Sequence, residues 1–281
     1  EELTKSVIEA RGQVTGDRGR DGKPIGVLAI PATLQEALLA RLDRLSTARQ
    51  IAQLGATLGR EFSYELLHAV APVSEANLQT DLSKLVEAEI LYQRGIGEQA
   101  RYFFKHALIQ DTAYQSLLKS TRQQYHQQIA RVLEERFPDT KEHQPELLAH
   151  HYTEANLIEQ AIPYWQQAGQ RASQRSAYVE AINHVTKGLE LLKPLPGTPE
   201  RAQKELILQT TFGHVLTATK GWADPGVGAA YARSLALCQH LGDSSQLSQV
   251  LFGLWAFYVE VPQFQTAHEL GERLLSLAQK T

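Results

Sequence analysis

Leucines at positions 34, 38, 42 and 45 recur three and four residues apart, the spacing that lines up side chains on one face of an α-helix. Thr33-Leu34-Gln35-Glu36 at its start has the form of a capping box, in which Thr33 accepts from an amide of the first turn and Glu36 reaches back. Ile51, Leu54 and Leu58 mark a second helix. Residues 59–63 predict a short extended piece, 64–70 a brief helix, and Ser74 opens a third periodic segment carrying Leu78, Leu82, Leu85 and Val86. Residues 90–94 and 101–105 then read as two strands joined through a turn at Gly95–Gly97, a β-hairpin. Helices followed by a hairpin outline a winged helix, placed at 32–120.

From Thr121 onward the pattern is helix after helix. Ala149, Tyr152, Ala161, Trp165 and Ala168 fall at the small and large positions of a 34-residue helical-hairpin template, and so do Leu254, Tyr258, Ala267 and Leu274. Small residues there let paired helices approach, and large ones fill the groove between them. Tyr178-Val179-Glu180-Ala181 and Phe264-Gln265-Thr266-Ala267 read as the same turn-into-helix element. The expected fold class is mainly α: a winged-helix domain with a small β-hairpin, followed over 121–281 by a degenerate, tetratricopeptide-like helical array that continues past the last residue. Trp165, Trp255 and Tyr258 are candidates to line a binding groove in that array, with core packing as the rival reading. Trp222, in a glycine-rich loop, is hardest to place.

Glycine and proline add the punctuation. Residues 11–31 hold five of the 19 glycines and two of the 11 prolines, which predicts a loop or linker with a short strand at 25–30. The chain has no methionine and opens Glu1-Glu2-Leu3-Thr4, so the expectation is an internal piece of a longer protein. Its net charge of −3 gives no bulk attraction to nucleic acid or anionic lipid. No apolar run has the length of a membrane span. The single cysteine, Cys238, excludes an intrachain disulfide framework and a cysteine zinc site, and a cytoplasmic setting is expected.

Signs of catalysis are scarce. There is neither a G-x-x-x-x-G-K-[ST] phosphate loop nor a G-x-S-x-G elbow. His150 and His151 are adjacent, and side chains about 100° apart on a helix do not share a metal simply. The expectation is that one faces the core and the other water, with no metal bound. Cys238 and His240 sit two apart, on opposite sides of a helix, so Cys238 reads as a small buried hydrophobe. Glu134-Glu135 and Glu200–Glu205 read as solvated helix faces. The helix that would enter a DNA groove, 74–88, carries Glu75, Asp81 and Glu87 against Lys84. Groove-reading helices are neutral to basic, so no direct contact with nucleic acid is expected.

Several longer stretches occur in order: Ile30-Pro31-Ala32-Thr33-Leu34-Gln35-Glu36-Ala37-Leu38, Arg41-Leu42-Asp43-Arg44-Leu45, Gly59-Arg60-Glu61-Phe62-Ser63, Phe104-Lys105-His106-Ala107-Leu108, Glu146-Leu147-Leu148-Ala149-His150-His151-Tyr152 and Ala161-Ile162-Pro163-Tyr164-Trp165. Together they resemble the region after the ATPase core of bacterial multidomain signalling ATPases of the STAND class, nearest to those fused to class III adenylate/guanylate cyclases. The resemblance implies a non-catalytic regulatory segment, with residues 1–31 as the end of an ATPase-core helix and a linker. The parent would be a nucleotide cyclase and ATPase using ATP/ADP with Mg. The implied partners are the intramolecular ATPase core and a protein or peptide ligand of the repeats. It also implies that His106, in the F-x-H-A-L stretch, contacts the ADP β-phosphate in the resting state, with Lys105 and Arg60 nearby. Two rivals stand beside it: an ATP-dependent transcriptional regulator whose DNA-binding domain lies elsewhere, and a stand-alone peptide-binding repeat scaffold.

Overall fold

The computed structural model of the chain describes residues 32–242 and 245–279, with side chains from Gln35 onward. The expected linker, the strand at 25–30 and the Thr33 cap lie outside the described residues. The chain divides into two compact units, 1–37 and 38–281. Of the first, only the opening of helix α1 (Ala32–Asp43) is described, and every other described element belongs to the second.

After α1 come α2 (Thr47–Leu58), β1 (Glu61–Ser63), α3 (Tyr64–Val70), α4 (Glu75–Glu87), β2 (Leu91–Arg94), β3 (Arg101–Phe104) and α5 (Ala107–Gln115). The expected hairpin is present as β2 and β3. The extended piece at 61–63 joins it, giving a three-stranded antiparallel sheet in the order β1-β3-β2. Phe62 pairs with Tyr102 and Leu91 with Phe104, so four buried apolar side chains cover one face. The Phe62 ring stacks on Tyr102 at 5.9 Å and meets Phe104 edge-on at 6.0 Å, which locks the register. Ser74 stands at the N-cap of α4, yet its hydroxyl makes no capping bond. Asp81 of that helix points inward. It is 3 % exposed and accepts from Thr47 Oγ1 at 2.8 Å, with Lys84 Nζ 3.0 Å away. The outward charges of α4 are therefore Glu75 and Glu87 against Lys84, a face that is still not basic.

The remaining helices are α6 (Lys119–Arg136), α7 (Pro138–His143), α8 (Pro145–Glu154), α9 (Ile158–Gln174), α10 (Tyr178–Leu192), α11 (Pro199–Lys220), α12 (Pro225–Leu241), α13 (Leu247–Glu260) and α14 (Phe264–Ala278). From α8 onward each helix packs on the next. α9 also reaches α11, and α11 reaches α13. The turns α8–α9 and α9–α10 are built alike. Asn156 and Ser176 take positive φ, 61° and 59°, and Leu157 N and Ala177 N each bond a carbonyl five residues back at 2.9 Å. These are Schellman turns, which satisfy the last carbonyls of one helix while launching the next. The residues that open α9, α10 and α14, namely Leu157, Ala177 and Gln263, share N-cap backbone angles, with φ −97°, −82° and −110° and ψ 68°, 62° and 63°. The equivalence of the elements at 178–181 and 264–267 thus extends to a third, at 158–161.

A single hydrophobic cluster runs from Leu38 to Trp165, so the sheet-bearing part and the first helical pairs share a core across residue 121. A second cluster joins Leu216, Val227, Tyr231, Leu251, Leu254 and Leu270. Its keystone is Tyr231 of α12, wedged between glycines of two neighbours. A Cβ added to Gly213 of α11 would lie 2.9 Å from the ring, and one added to Gly253 of α13 would lie 2.4 Å from it. Gly253→Ala is therefore expected to cost about 1–2 kcal/mol, overpacking outweighing the gain in helix propensity. A lowered urea midpoint with unchanged slope would show it. Gly197→Ala, where nothing lies within 4 Å, should leave the midpoint in place.

Candidate functional site

His106 sits where β3 turns into α5. It is the N-cap residue of α5, with extended backbone (φ −136°, ψ 143°), and its exposed ring makes no capping hydrogen bond. The rival reading, a histidine bonded inside the strand-to-helix corner, does not describe it. Phe104 N donates to Arg60 O at 3.0 Å and Lys105 N to Ile90 O at 3.0 Å. This pairing brings Arg60, Lys105 and His106 to one end of the sheet, all exposed. Lys105 is engaged with Glu89 at 2.9 Å, and that ion pair holds the Glu89 carboxyl below its usual range. The corner offers cations and an imidazole to an anion approaching from solvent.

The three groove candidates are not brought together. Trp165 is 3 % exposed and belongs to the first core, and one edge of it also lines a small cleft of about 180 Å³ with His150, Thr153, Glu154, Lys187 and Leu191. Its Nε1 donates to Thr153 Oγ1 at 3.0 Å, His184 stacks on it at 5.4 Å, and Lys187 Nζ lies 4.6 Å from the ring centre. Trp255 and Tyr258 are half-buried on α13 beside the second cluster. Trp255 continues an aromatic step through Phe252 (5.7 Å) to Trp222 (6.1 Å), while Tyr258 packs on Phe257.

The cleft the helices do form was not signalled by aromatic spacing. It is about 420 Å³, crosses α9, α11 and the start of α13, and is lined by Gln170, Gln174, Thr211, His214, Gln246 and Gln249 among others. No Asp, Glu, Lys or Arg lines it. Each glutamine brings a donor and an acceptor, so the cleft is a hydrogen-bonding surface rich in amides, with His214 the one titratable group among its described lining residues. Gln249 lies one turn before Phe252, which sets the aromatic step beside the amides.

A third feature involves a residue not singled out in the sequence. His126 of α6 and His151 of α8 are both buried, and their Nδ1 atoms lie 2.8 Å apart. Tyr114 OH of α5 meets His126 Nε2 at 2.9 Å, and Arg122 covers the Tyr114 ring at 4.3 Å. One ring donates its Nδ1–H and the other accepts, and in either tautomer Tyr114 can satisfy the far nitrogen. His150 is exposed, as one of the adjacent pair was expected to be, and its ring lies 5.4–5.6 Å from the other two. Among the described residues no group of three or more His, Cys, Asp or Glu is arranged to hold a metal ion.

Two carboxylates expected on solvated faces are instead engaged. Glu134 accepts from Tyr164 OH at 2.5 Å, from Tyr152 OH, and from Lys141. Glu205 is 7 % exposed and lies between Arg201 and Arg233. Cys238 is buried in an apolar cluster, as expected, with His240 exposed.

No family model matches the chain. It is 26% identical over 250 residues to an uncharacterised protein of Rhizobium meliloti (strain 1021), an alignment that covers 89% of this chain and 24% of that protein. The chain thus spans about a quarter of the length of that relative. Among solved structures it aligns with BtubC (BKLC) from P. vanneervenii at 14% identity and a TM-score of 0.28, covering 87% of this chain and 92% of the other. No helix among the described residues is long and apolar enough to cross a membrane.

The histidine pair makes an acid-sensitive joint. Burial, then the neighbouring His150 and Arg122, lowers His126 to about 4 from its usual 6.5. Burial and the other two rings hold His151 well below the usual range. A lowered histidine stabilises the fold above its unfolded-state value, and that contribution is lost as pH falls, here from about 6.5 toward 4. Unfolding free energy should drop by about 2–3 kcal/mol across that window. Urea titrations at several pH values check it, and His126→Gln should flatten the dependence.

Proposed function

We propose that this chain is a non-catalytic regulatory and protein-interaction segment of a larger bacterial, cytoplasmic, ATP-dependent signalling protein. In this reading residues 32–120 are a winged helix, 121–281 are tetratricopeptide-like helical pairs, and the output is an adenylate/guanylate cyclase. The winged helix rests on the ATPase core and helps retain ADP. A protein or peptide ligand on the helical array shifts that resting equilibrium by binding the two states unequally.

The observation that carries the reading is the corner at His106. The sheet order β1-β3-β2 beneath flanking helices supplies the elements a winged helix needs, and it leaves His106 exposed with Arg60 and Lys105 beside it. The repeated turns at 155–157 and 175–177 favour the helical-pair reading of the rest. The amide cleft suits an extended peptide, whose backbone presents the same donors and acceptors. A relative about four times longer than this segment has room for the domains the reading requires.

The amide cleft also favours a second reading, a peptide-binding scaffold with no ATPase. The two part on nucleotide. In the parent protein, His106→Ala is expected to weaken ADP retention about tenfold, the worth of one charge-assisted hydrogen bond, and to raise basal cyclase output. Equilibrium ADP binding and cyclase assays measure both. Unchanged ADP affinity and unchanged output would leave the scaffold reading standing.

A further inference from the structure

We propose that the cleft at the open end of the α11–α12 hairpin binds a phosphoryl group. The cleft is about 300 Å³ and is lined by Gly197, Thr198, Arg201, Arg233, Leu237 and His240. The site does not depend on the regulatory reading and would exist equally in a stand-alone scaffold.

Its chemistry begins with Glu205, whose buried carboxylate is shared by two guanidinium groups. Arg201 Nη1 bonds Oε2 at 3.0 Å and Arg233 Nε bonds Oε1 at 2.6 Å. Arg201 has a second anchor, since its Nε donates to Leu192 O at 3.0 Å. Arg201 is thus held through two of its nitrogens and Arg233 through a short bond from Nε. Glu205 neutralises one of the two arginine charges, and the Glu200 carboxylate at Thr198 is countered by Lys204, so the cluster keeps a net positive charge beside the cleft. The Arg233 side chain is 48 % exposed, and no hydrogen bond among the described residues engages its two terminal amino groups. A fixed guanidinium with unused donors at the wall of a cleft is prepared for an oxyanion before one arrives.

Donor count selects the class of anion. A carboxylate can bridge both arginines, as Glu205 does from the inner side, but it brings two oxygens and one charge. A phosphoryl group carries three terminal oxygens and can accept from both arginines at once. The helix terminus itself adds little. Thr198 caps α11 by accepting from Arg201 N at 3.2 Å, and the Glu200 carboxylate is already bonded to backbone and to Thr198 there. The arginine pair carries the site, with His240 at its rim.

The phosphoryl group can belong to a small molecule or to a phosphorylated side chain of a partner protein, and one experiment separates these sources. The 281-residue chain would be titrated calorimetrically, at constant ionic strength, with inorganic phosphate, with acetate, and with a phosphoserine hexapeptide beside its unphosphorylated form. Saturable phosphate binding with none for acetate is the expected result. Arg233→Gln should weaken it at least tenfold with an unchanged circular dichroism spectrum, since Arg201 still pairs Glu205. Arg233→Lys, which keeps charge and loses the fork, should fall between. Phosphopeptide binding tighter than phosphate assigns the site to a partner protein, and equal affinity assigns it to a small molecule. No saturable binding of any phosphoryl probe, or equal affinity in Arg233→Gln, would overturn the proposal.

Discussion

The arrangement of the helical half depends on how closely neighbouring helices approach, and glycines opposite large side chains set that distance. Tyr231 meets Gly213 on one side and Gly253 on the other, and the same device recurs where Val185 meets Gly169 and Leu208 meets Gly188. A helix in a linear array buries side chains only against its neighbours, so each interface must be keyed locally. A ring seated on a bare Cα supplies the key, because it fits at one register and collides at the next. That constraint aligns α9, α11 and α13 so that Gln170, Thr211 and Gln249 share one cleft. It also fixes α11 against α12, and hence Arg201 against Arg233.

Polar groups buried between elements do a second kind of work. The pair His126–His151 ties α6 to α8, Glu134 ties α6 to Tyr152 and Tyr164 of α8 and α9, and Glu205 ties α11 to α12. Each exchanges desolvation for a geometry that only the correct partners satisfy. The net stability gained is small, and the specificity is larger. Moving α8 by one residue along α6 would separate the imidazoles and leave nitrogens buried without partners.

Local pattern was legible and long-range partnership was not. Apolar spacing placed α1, α2 and α4, glycine placement found the β2–β3 turn, and the repeated entry at 178–181 and 264–267 reappears in matching N-cap backbone angles. The pairing of β1 with β3 joins residues some forty positions apart, beyond what a short extended stretch can announce. Glu134 and Glu205 look like ordinary charged residues because their partners, Tyr164 and Arg233, lie 30 and 28 residues away. Trp165 shows the limit from the other side. A large residue at a groove position of a template is also a core position, and only its neighbours Thr153, His184 and Lys187 decide between them. The amide cleft is silent in the sequence, since four glutamines divided between α9 and the start of α13 have no periodic signature.

The first core gives the regulatory reading a physical route. One hydrophobic cluster joins the sheet end, where His106 lies, to Trp165 of α9. The same helix contributes Gln170 and Gln174 to the amide cleft, one to two turns further on. A ligand drawn into the cleft bears on the C-terminal half of α9, while the N-terminal half is built into the core that carries the His106 corner. Pro163 removes an amide hydrogen from the first half of that helix, and Gly169 lets Val185 press against it. In the proposed regulatory reading α9 is the element common to both ends, with Trp165 in the core that carries the corner and Gln170 and Gln174 at the cleft.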